Sequence, residues 1–374
     1  MVAERFVNVN TGQPLPLSSA ASSVFGASGP NHSIGLVPDP GVTPGTSNFL
    51  REDGVFATPP SGGGISLAGN NSWTGHQYFK SGRPWTDIIA WGADPTGAVS
   101  SDTAIQNAIN FMAATFGGGI VFCPPGIYAI TTGITVKSRV RLVGAGRDVS
   151  YISGFVTNVD TIHFDSSCLR GCSLEHLTAQ GYFNANVALV TSNTVTVAQD
   201  IPVYIGSCTI WYGSAGLVTS GIDGHCFDTW IMGCQDCIVS NGANWYNRCI
   251  FDGNGSFASQ RYAFWQGVGF AGATSQENAF VMCDFSGVFT KSIFIDDSFG
   301  GTFCLPKFSQ CVISGPVDIQ HSYFTTFSQC EFGTDSFTVN AVTGGSVSVI
   351  GSVGFGVTIH TPAAVLKSAN FNIV

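Results

Sequence analysis

The chain has 374 residues, of which only 10% are charged, and its 14 basic and 23 acidic side chains leave a net charge of −9. No basic block of the kind that grips a phosphate backbone is present, so nucleic acid is not an expected partner. A hydrophobic content of 44% excludes global disorder, and no run approaches the roughly 18 apolar residues of a membrane span.

The first residues, MVAERFVNVN, contain no apolar leader, and export by a classical signal is not expected. Half of the 16 prolines fall in the first 60 residues, and no cysteine precedes Cys123. The stretch GLVPDPGVTPGTSNFLREDGVFATPPSGGG alternates turn signals with short apolar pieces. Such a segment is either a linker or gains its core by associating with copies of itself or with another protein. PPSGGG, Pro59 to Gly64, reads as a flexible joint. Residues 1–80 are therefore expected to be one unit and 81–374 another.

At Trp85 the texture changes. WTDIIAWGADPTG predicts a strand over Asp87–Trp91 that ends in turn residues. In SDTAIQNAINFMAATFGGG, Ser101 or Asp102 can cap a helix whose apolar face is Ile105, Ala108, Ile109 and Met112. Gly117 to Gly119 end that helix. Beyond it come only short strands punctuated by Gly, Asn, Asp and Ser.

The later half repeats itself. FSQCVISG begins at Phe308, FSQCEFG at Phe327, FVMCDFSG at Phe280 and YNRCIFDG at Tyr246. Cys249, Cys283, Cys311 and Cys330 follow at intervals of 34, 28 and 19 residues. Each cysteine shares a face with Phe251, Phe285, Ile313 or Phe332, while Ile250, Asp284, Val312 and Glu331 face outward. An apolar pair at a fixed place in an irregular period fits a solenoid whose coils carry loop insertions. Cys172 and Cys208 are candidates for the same place, but Cys237 and Cys249 stand too close for one coil each. The twelve cysteines then read as buried thiols of a protein made in a reducing cytoplasm, not as disulfides. Cys234 and Cys237 have no second ligand pair at zinc spacing, so no metal or other cofactor is expected. An antiparallel sandwich is the competing architecture.

From Asp87 to Gly146 the chain resembles the pectate-lyase-like superfamily. The resemblance lies in Asp87, Gly92, Ala93, Pro95 to Gly97, Asp102, Ile105, Gln106 and Ala108, then Gly117 to Gly119, Pro124 to Gly126, Tyr128 and Gly144 to Gly146. It implies an all-β fold, a right-handed parallel β-helix capped by a short α-helix. The pieces GLVPDPG, FLREDGVFATP and NSWTGHQYF are similar to virion-attaching parts of bacteriophage tail fibres and tailspikes. Together the two resemblances imply a homotrimer in the virion, assembled in the host cytoplasm. Residues 1–80 would anchor it to phage tail, baseplate or capsid proteins, and its β-helix would engage host surface polysaccharide. Many such proteins cleave that glycan as endoglycosidases or lyases. The alternatives are a non-catalytic adhesin or structural fibre, and a cellular pectinase-like enzyme, which the tail-fibre-like segment disfavours.

Glycoside hydrolysis usually needs two carboxyl groups, so the acids matter most. Asp284 and Glu331 share one outward position two coils apart, roughly 9.6 Å between backbones. Asp296 and Asp297 are adjacent in FIDDSFGG, and Glu277 in the long insertion before Cys283 can join them. The Asn-Thr-Asp and Gly-His-Gly of polygalacturonase-like enzymes are missing around that pair, so no roles carry over. GIDGHCFD brings Asp223, His225 and Asp228 together as a further base candidate. For glycan contact the expected residues are Tyr262 and Trp265 in the loop QRYAFWQG, with Trp245 and the cation Arg261.

Overall fold

The computed structural model describes residues 49–50, 56–57, 85–155, 160–164, 168, 171–181, 195–197, 203–219, 222–240, 242–253, 260–266, 277–296, 305–321, 324–333, 336–339, 346–354, 358–360 and 366–373. Two compact units divide between Trp73 and Thr74. In the first, Phe49–Leu50 pairs antiparallel with Phe56–Ala57. The rest of the expected anchoring segment lies outside the described residues.

In the second unit every described strand pairing is parallel, which excludes the sandwich. Three sheets wind around one interior. The first climbs from Trp85–Asp87 through Gly119–Cys123 and Ala243–Asn247 to Lys307–Ser309 and Phe324–Ser328. The second climbs from Gly126–Ile130 through Ile250–Asp252 and Asp284–Ser286 to Glu331–Phe332. The third climbs from Ile134–Val136 through Tyr262–Gln266 and Lys291–Asp296 to Ser336–Val339. The architecture is the expected right-handed parallel β-helix.

The FSQC repeat is the corner between the first and second sheets. Phe308 and Phe327 stand one residue before the ends of first-sheet strands with their rings inward, at in-register positions. The following Ser faces outward. Gln310 and Gln329 then take left-handed backbone, each with φ of 54°. This one residue bends the chain and resets the inward–outward alternation, so Cys311 and Cys330 point inward three residues after the Phe. The same left-handed place is held by His176, Ser207, Asp228, Arg248 and Met282. Each of these residues donates its N–H to the next coil, as in Arg248 to Val281 at 3.0 Å and Gln310 to Ser328 at 2.9 Å. The inward residue that follows returns the bond, its carbonyl accepting from the next coil, as Cys283 does from Val312 at 2.9 Å.

That pattern settles the register. The inward corner column reads Leu177, Cys208, Thr229, Cys249, Cys283, Cys311 and Cys330, since each carbonyl accepts from the coil above. Cys208 is in it as expected. Cys172 is not, because it lies in a first-sheet strand opposite Val203 and Leu177 takes its place. The crowding at Cys226, Cys237 and Cys249 also resolves. Cys226 lies on the first sheet opposite Tyr246, Cys237 lies within Trp230–Ser240, and the coil between Cys208 and Cys249 uses Thr229. The Thr229 hydroxyl is satisfied by donating to the Phe227 carbonyl at 3.0 Å.

Beside this column run stacked rings. Tyr246 and Phe280 lie 4.6 Å apart, Phe280 and Phe308 4.9 Å, and Phe308 and Phe327 4.7 Å, with ring planes within 10° of parallel. Their spacing is that of the strands themselves, about 4.8 Å. All four rings are essentially inaccessible to water. Each buried ring contributes roughly 2–3 kcal/mol, which makes this column a main support of the fold.

The first coil departs from the sequence reading in two places. Only Trp85–Asp87 is strand, and Ile88–Trp91 is a 3-10 turn. The Asp87 carboxylate accepts the Ile89 N–H at 2.7 Å, and Gly92 closes the turn in left-handed backbone. Helix α1, Asp102–Phe116, buries the expected Ile105, Ala108, Ile109 and Met112 and packs on strands of the first and third sheets. Neither Ser101 nor Asp102 caps it by a side-chain bond. Asp102 instead accepts from the Thr131 and Thr132 amides at 2.7–3.0 Å and from both their hydroxyls at 2.8 Å. It thereby ties the cap to the bend between second and third sheets.

The eleven described cysteines are buried free thiols, and burial pushes the Cys208 thiol up to about 12. Cys304 lies outside the described residues. Iodoacetamide should therefore label the native protein at Cys304 at most, and all twelve positions only after denaturation. A native chain labelled at Cys283 or Cys311 would contradict the buried column.

The Asp102 carboxyl, which burial alone would raise, is held down to about 2 by hydrogen bonds from Ser100, Thr132 and Thr131, against an ordinary 3.8. A depressed carboxyl stabilises the fold above its unfolded value and loses that contribution as pH falls through its folded value. Asp102→Asn should thus melt below wild type at neutral pH, and the gap should close as pH falls from about 3.8 towards 2.

Candidate functional site

The interior is closed to solvent and mostly apolar, apart from a buried hydrogen-bonded ladder of Thr219, Ser240, Asn244, Asn278 and Gln266, so ligand can reach only the outer walls. Each sheet presents alternate side chains outward in columns at coil spacing. The candidate residues fall on different walls.

On the first sheet the registers Arg141–Ser173–Tyr204–His225–Trp245 form one outward column. Trp245 is 56% exposed and Tyr204 36%. The rings of His225 and Trp245 stack within 19° of parallel, with centroids 6.4 Å apart. Tyr204 packs on Phe227 at 4.9 Å. This packing needs Gly206, where a Cβ would come within 2.8 Å of both rings. Two recesses open along the column and share Tyr204. One, of about 310 Å³, is lined by Arg141, Ser173, Glu175 and Tyr204. The other, of about 240 Å³, is lined by Tyr204, His225, Trp245 and Asn247. Arg141 holds Glu175 through two nitrogens, Nη2 at 2.8 Å from both carboxylate oxygens and Nε at 3.0 Å from Oε1, and Ser173 donates to Glu175 at 2.5 Å. Burial pushes the Glu175 carboxyl up, and the bonds from Arg141 and Ser173 more than reverse this and hold it below its ordinary value.

Of the residues expected to touch glycan, only Trp245 lies on this wall. Tyr204, Arg141 and Glu175 escape sequence reasoning because they stand in different coils, 29 or more residues from one another. The readable signal was the spacing once the corner column is in register. His225 faces the groove, while Asp228 sits at the corner bound to Arg248 at 2.7 Å. The side chain of Asp223 lies outside the described residues.

Arg261, Tyr262 and Trp265 do come together, on the third sheet. Tyr262–Gln266 is a strand of that sheet and not the exposed loop expected, because its register continues from Asp236 to Lys291. Tyr262 and Trp265 are half-buried. The Arg261 guanidinium lies 5.5 Å and 5.6 Å from their ring centres and pairs with Asp236, whose side chain is 2% exposed. Burial raises the Asp236 carboxyl and Arg261 opposes that rise. Phe294 stacks on Tyr262 at 5.0 Å, and Lys291 bridges Phe294 and Asp318. The cluster is internally satisfied.

The acids separate as well. Asp284, Val312 and Glu331 are in direct register on the second sheet, as the repeat implied. The Asp284 Oδ1 is buried and accepts no hydrogen bond, and burial, then the nearby Asp252 carboxylate, raises its carboxyl above the ordinary range. Glu331 is exposed. Asp296 ends a third-sheet strand, in register with His321. Asp297 lies outside the described residues. Glu277 is exposed before the first-sheet strand Ala279–Val281, with Lys307 at 4.0 Å. Among the described residues no cluster of three or more His, Cys, Asp or Glu is arranged to hold a metal.

Residues 85–258 match the family described as rhamnogalacturonase A/epimerase, pectate lyase-like. Over these residues the chain is similar to that family, and its fold is a parallel β-helix. Among solved structures it is similar to the ORF18 protein of Geobacillus virus E2, with 17% identity and a TM-score of 0.50 over 77% of this chain and 60% of that one. It is also similar to the tailspike protein of Escherichia coli bacteriophage HK620, determined in complex with a pentasaccharide, with 12% identity and a TM-score of 0.52 over 80% and 68% of the two chains. The chain thus spans about three-fifths of the first of these proteins. No curated protein matches it.

The third-sheet cluster yields a stability prediction. Arg261→Met leaves the Asp236 carboxylate buried without its cation and should cost about 3 kcal/mol. Arg261→Met with Asp236→Asn should recover a good part of that loss, measured by denaturant unfolding. An additive double variant would show that the pair is uncoupled.

Proposed function

We propose that the protein is a phage tailspike that binds host surface polysaccharide along the outer wall of its first sheet. The observation that carries this reading is the column of Tyr204, His225 and Trp245, exposed rings at coil spacing beside two recesses. Exposed rings recurring once per coil suit the apolar faces of successive sugars, and the recess edges offer polar groups to their hydroxyls. A pentasaccharide bound by the HK620 tailspike, which shares the fold, supports it. So does the match to a family named for glycan-processing enzymes. In this reading the molecule is a virion component, a homotrimer anchored to tail, baseplate or capsid proteins through residues 1–80. The buried reduced thiols fit assembly in the host cytoplasm.

A second reading, that the glycan is also cleaved, is favoured by the Asp284 carboxyl. A raised, partly buried acid is suited to protonate a leaving oxygen, and the exposed Glu331 two coils on would activate water. The roles of Asp296, Asp297 and Glu277 in this reaction are weaker, since the described ones stand on other walls.

Trp245→Ala should weaken binding to host capsule or lipopolysaccharide at least tenfold, about 1.4 kcal/mol, without lowering the melting temperature by more than a few degrees. Unchanged binding would remove the first sheet as the site. If the glycan is cleaved, Asp284→Asn should reduce release of reducing ends roughly a hundredfold or more while binding stays within about twofold. Release at the wild-type rate would exclude Asp284 as the acid.

A further inference from the structure

We propose that Glu175 is a specificity-determining residue that sets the first-sheet groove for uncharged glycan. The inference rests on the reading of that groove as the polysaccharide site. Arg141 stands at one end of the groove, its side chain 38% exposed, on the recess that also contains Tyr204. An unpaired guanidinium there would be the natural seat for the carboxylate of a uronate or sialate, because its planar fork matches a carboxylate through two parallel bonds. Glu175 already occupies that fork through Nε and Nη2. Its side chain is 11% exposed and is also tied to Ser173 at 2.5 Å, so it does not give way to an incoming acid.

The remainder of the wall follows the same rule. Among the described residues on the outward columns of the first sheet, the other cation beyond the rings is Lys307, and it faces Glu277 at 4.0 Å. Between the two pairs lie rings with open donors. The Tyr204 hydroxyl and Trp245 indole N–H make no bond to the described protein, and the Nη1 of Arg141 is also open. These donors suit hydroxyl and ether oxygens without asking for charge. The net charge of −9 further opposes a polyanion at low salt. The groove thus selects neutral sugars by neutralising its own cations.

The test uses the full chain on an array of purified bacterial surface polysaccharides, some neutral and some carrying uronate or sialate. Wild type should bind neutral members only. Glu175→Gln, which keeps the shape but frees the Arg141 charge, should gain acidic members at least tenfold while neutral binding stays within about threefold. Adding Arg141→Gln should abolish the gain. Acidic members bound by wild type and lost in Trp245→Ala would overturn the inference and leave the groove as the site. So would absence of a gain in a folded Glu175→Gln protein. Independently of any variant, wild-type binding to its neutral ligand should change less than about twofold between 50 and 500 mM NaCl, and a tenfold fall would overturn the inference. Binding that is absent throughout, or unaffected by Trp245→Ala, overturns the underlying reading and this inference with it.

Discussion

The structure depends on one constraint, the hydrogen-bonded corner between first and second sheets. A chain that turns this corner leaves two backbone groups facing the neighbouring coil, and buried backbone groups must be paired. One residue in left-handed conformation aims its N–H at the coil above, and the following inward residue offers its carbonyl to it. The corner therefore continues the ladder instead of breaking it. Because each coil must place that corner over the last, register is fixed there, and extra residues are accommodated elsewhere in the coil. Tyr246, Phe280, Phe308 and Phe327 remain stacked although 34, 28 and 19 residues separate them.

Small apolar side chains suit the inward corner position because the turn is tight and the site is dry. Cysteine fits, needs no hydrogen-bond partner, and tolerates the close sulfur contacts of neighbouring coils, as between Cys249 and Cys226 at 3.7 Å. Thr229 fits because its hydroxyl bonds to the Phe227 carbonyl, and Ser352, the inward residue after left-handed Gly351 in the coil beyond Cys330, fits because it accepts the Cys330 N–H. With the interior closed to solvent, ligand contact is confined to the walls. The three walls differ: exposed rings and open donors on the first, a raised carboxyl on the second, satisfied ion pairs under aromatic rings on the third.

The repeat made the fold legible, because an aromatic residue and a cysteine at fixed separation, recurring in an irregular period, call for stacked coils of unequal length. The outward place of Asp284, Val312 and Glu331 followed from the same alternation. The corner itself was hidden, since Gln310, Arg248 and Met282 are not residues that announce left-handed backbone, and only the bonds to the next coil hold them there. This is why Thr229 does not show itself as a column member and why Cys237 and Cys249 look too close for one coil each. Tyr262 and Trp265 read as loop residues in the sequence because they sit in the long insertion between Cys249 and Cys283. Their pairing with Asp236 and Lys291 is a non-local fact that no local pattern carries. The groove of Arg141, Glu175, Tyr204 and Trp245 was illegible for the same reason: its members meet only when the coils are stacked.

Amide hydrogen exchange across residues 308–313 and 327–332 tests the central claim most directly. In an ordinary exposed turn the Gln310 and Gln329 amides would exchange at once, since their side chains lie at the surface. If the corner holds the coils in register, those amides and the N–H of Val312 and Glu331 exchange as slowly as the flanking strand amides and open only with them. Rapid exchange at the corners with protected strands on either side would contradict the account.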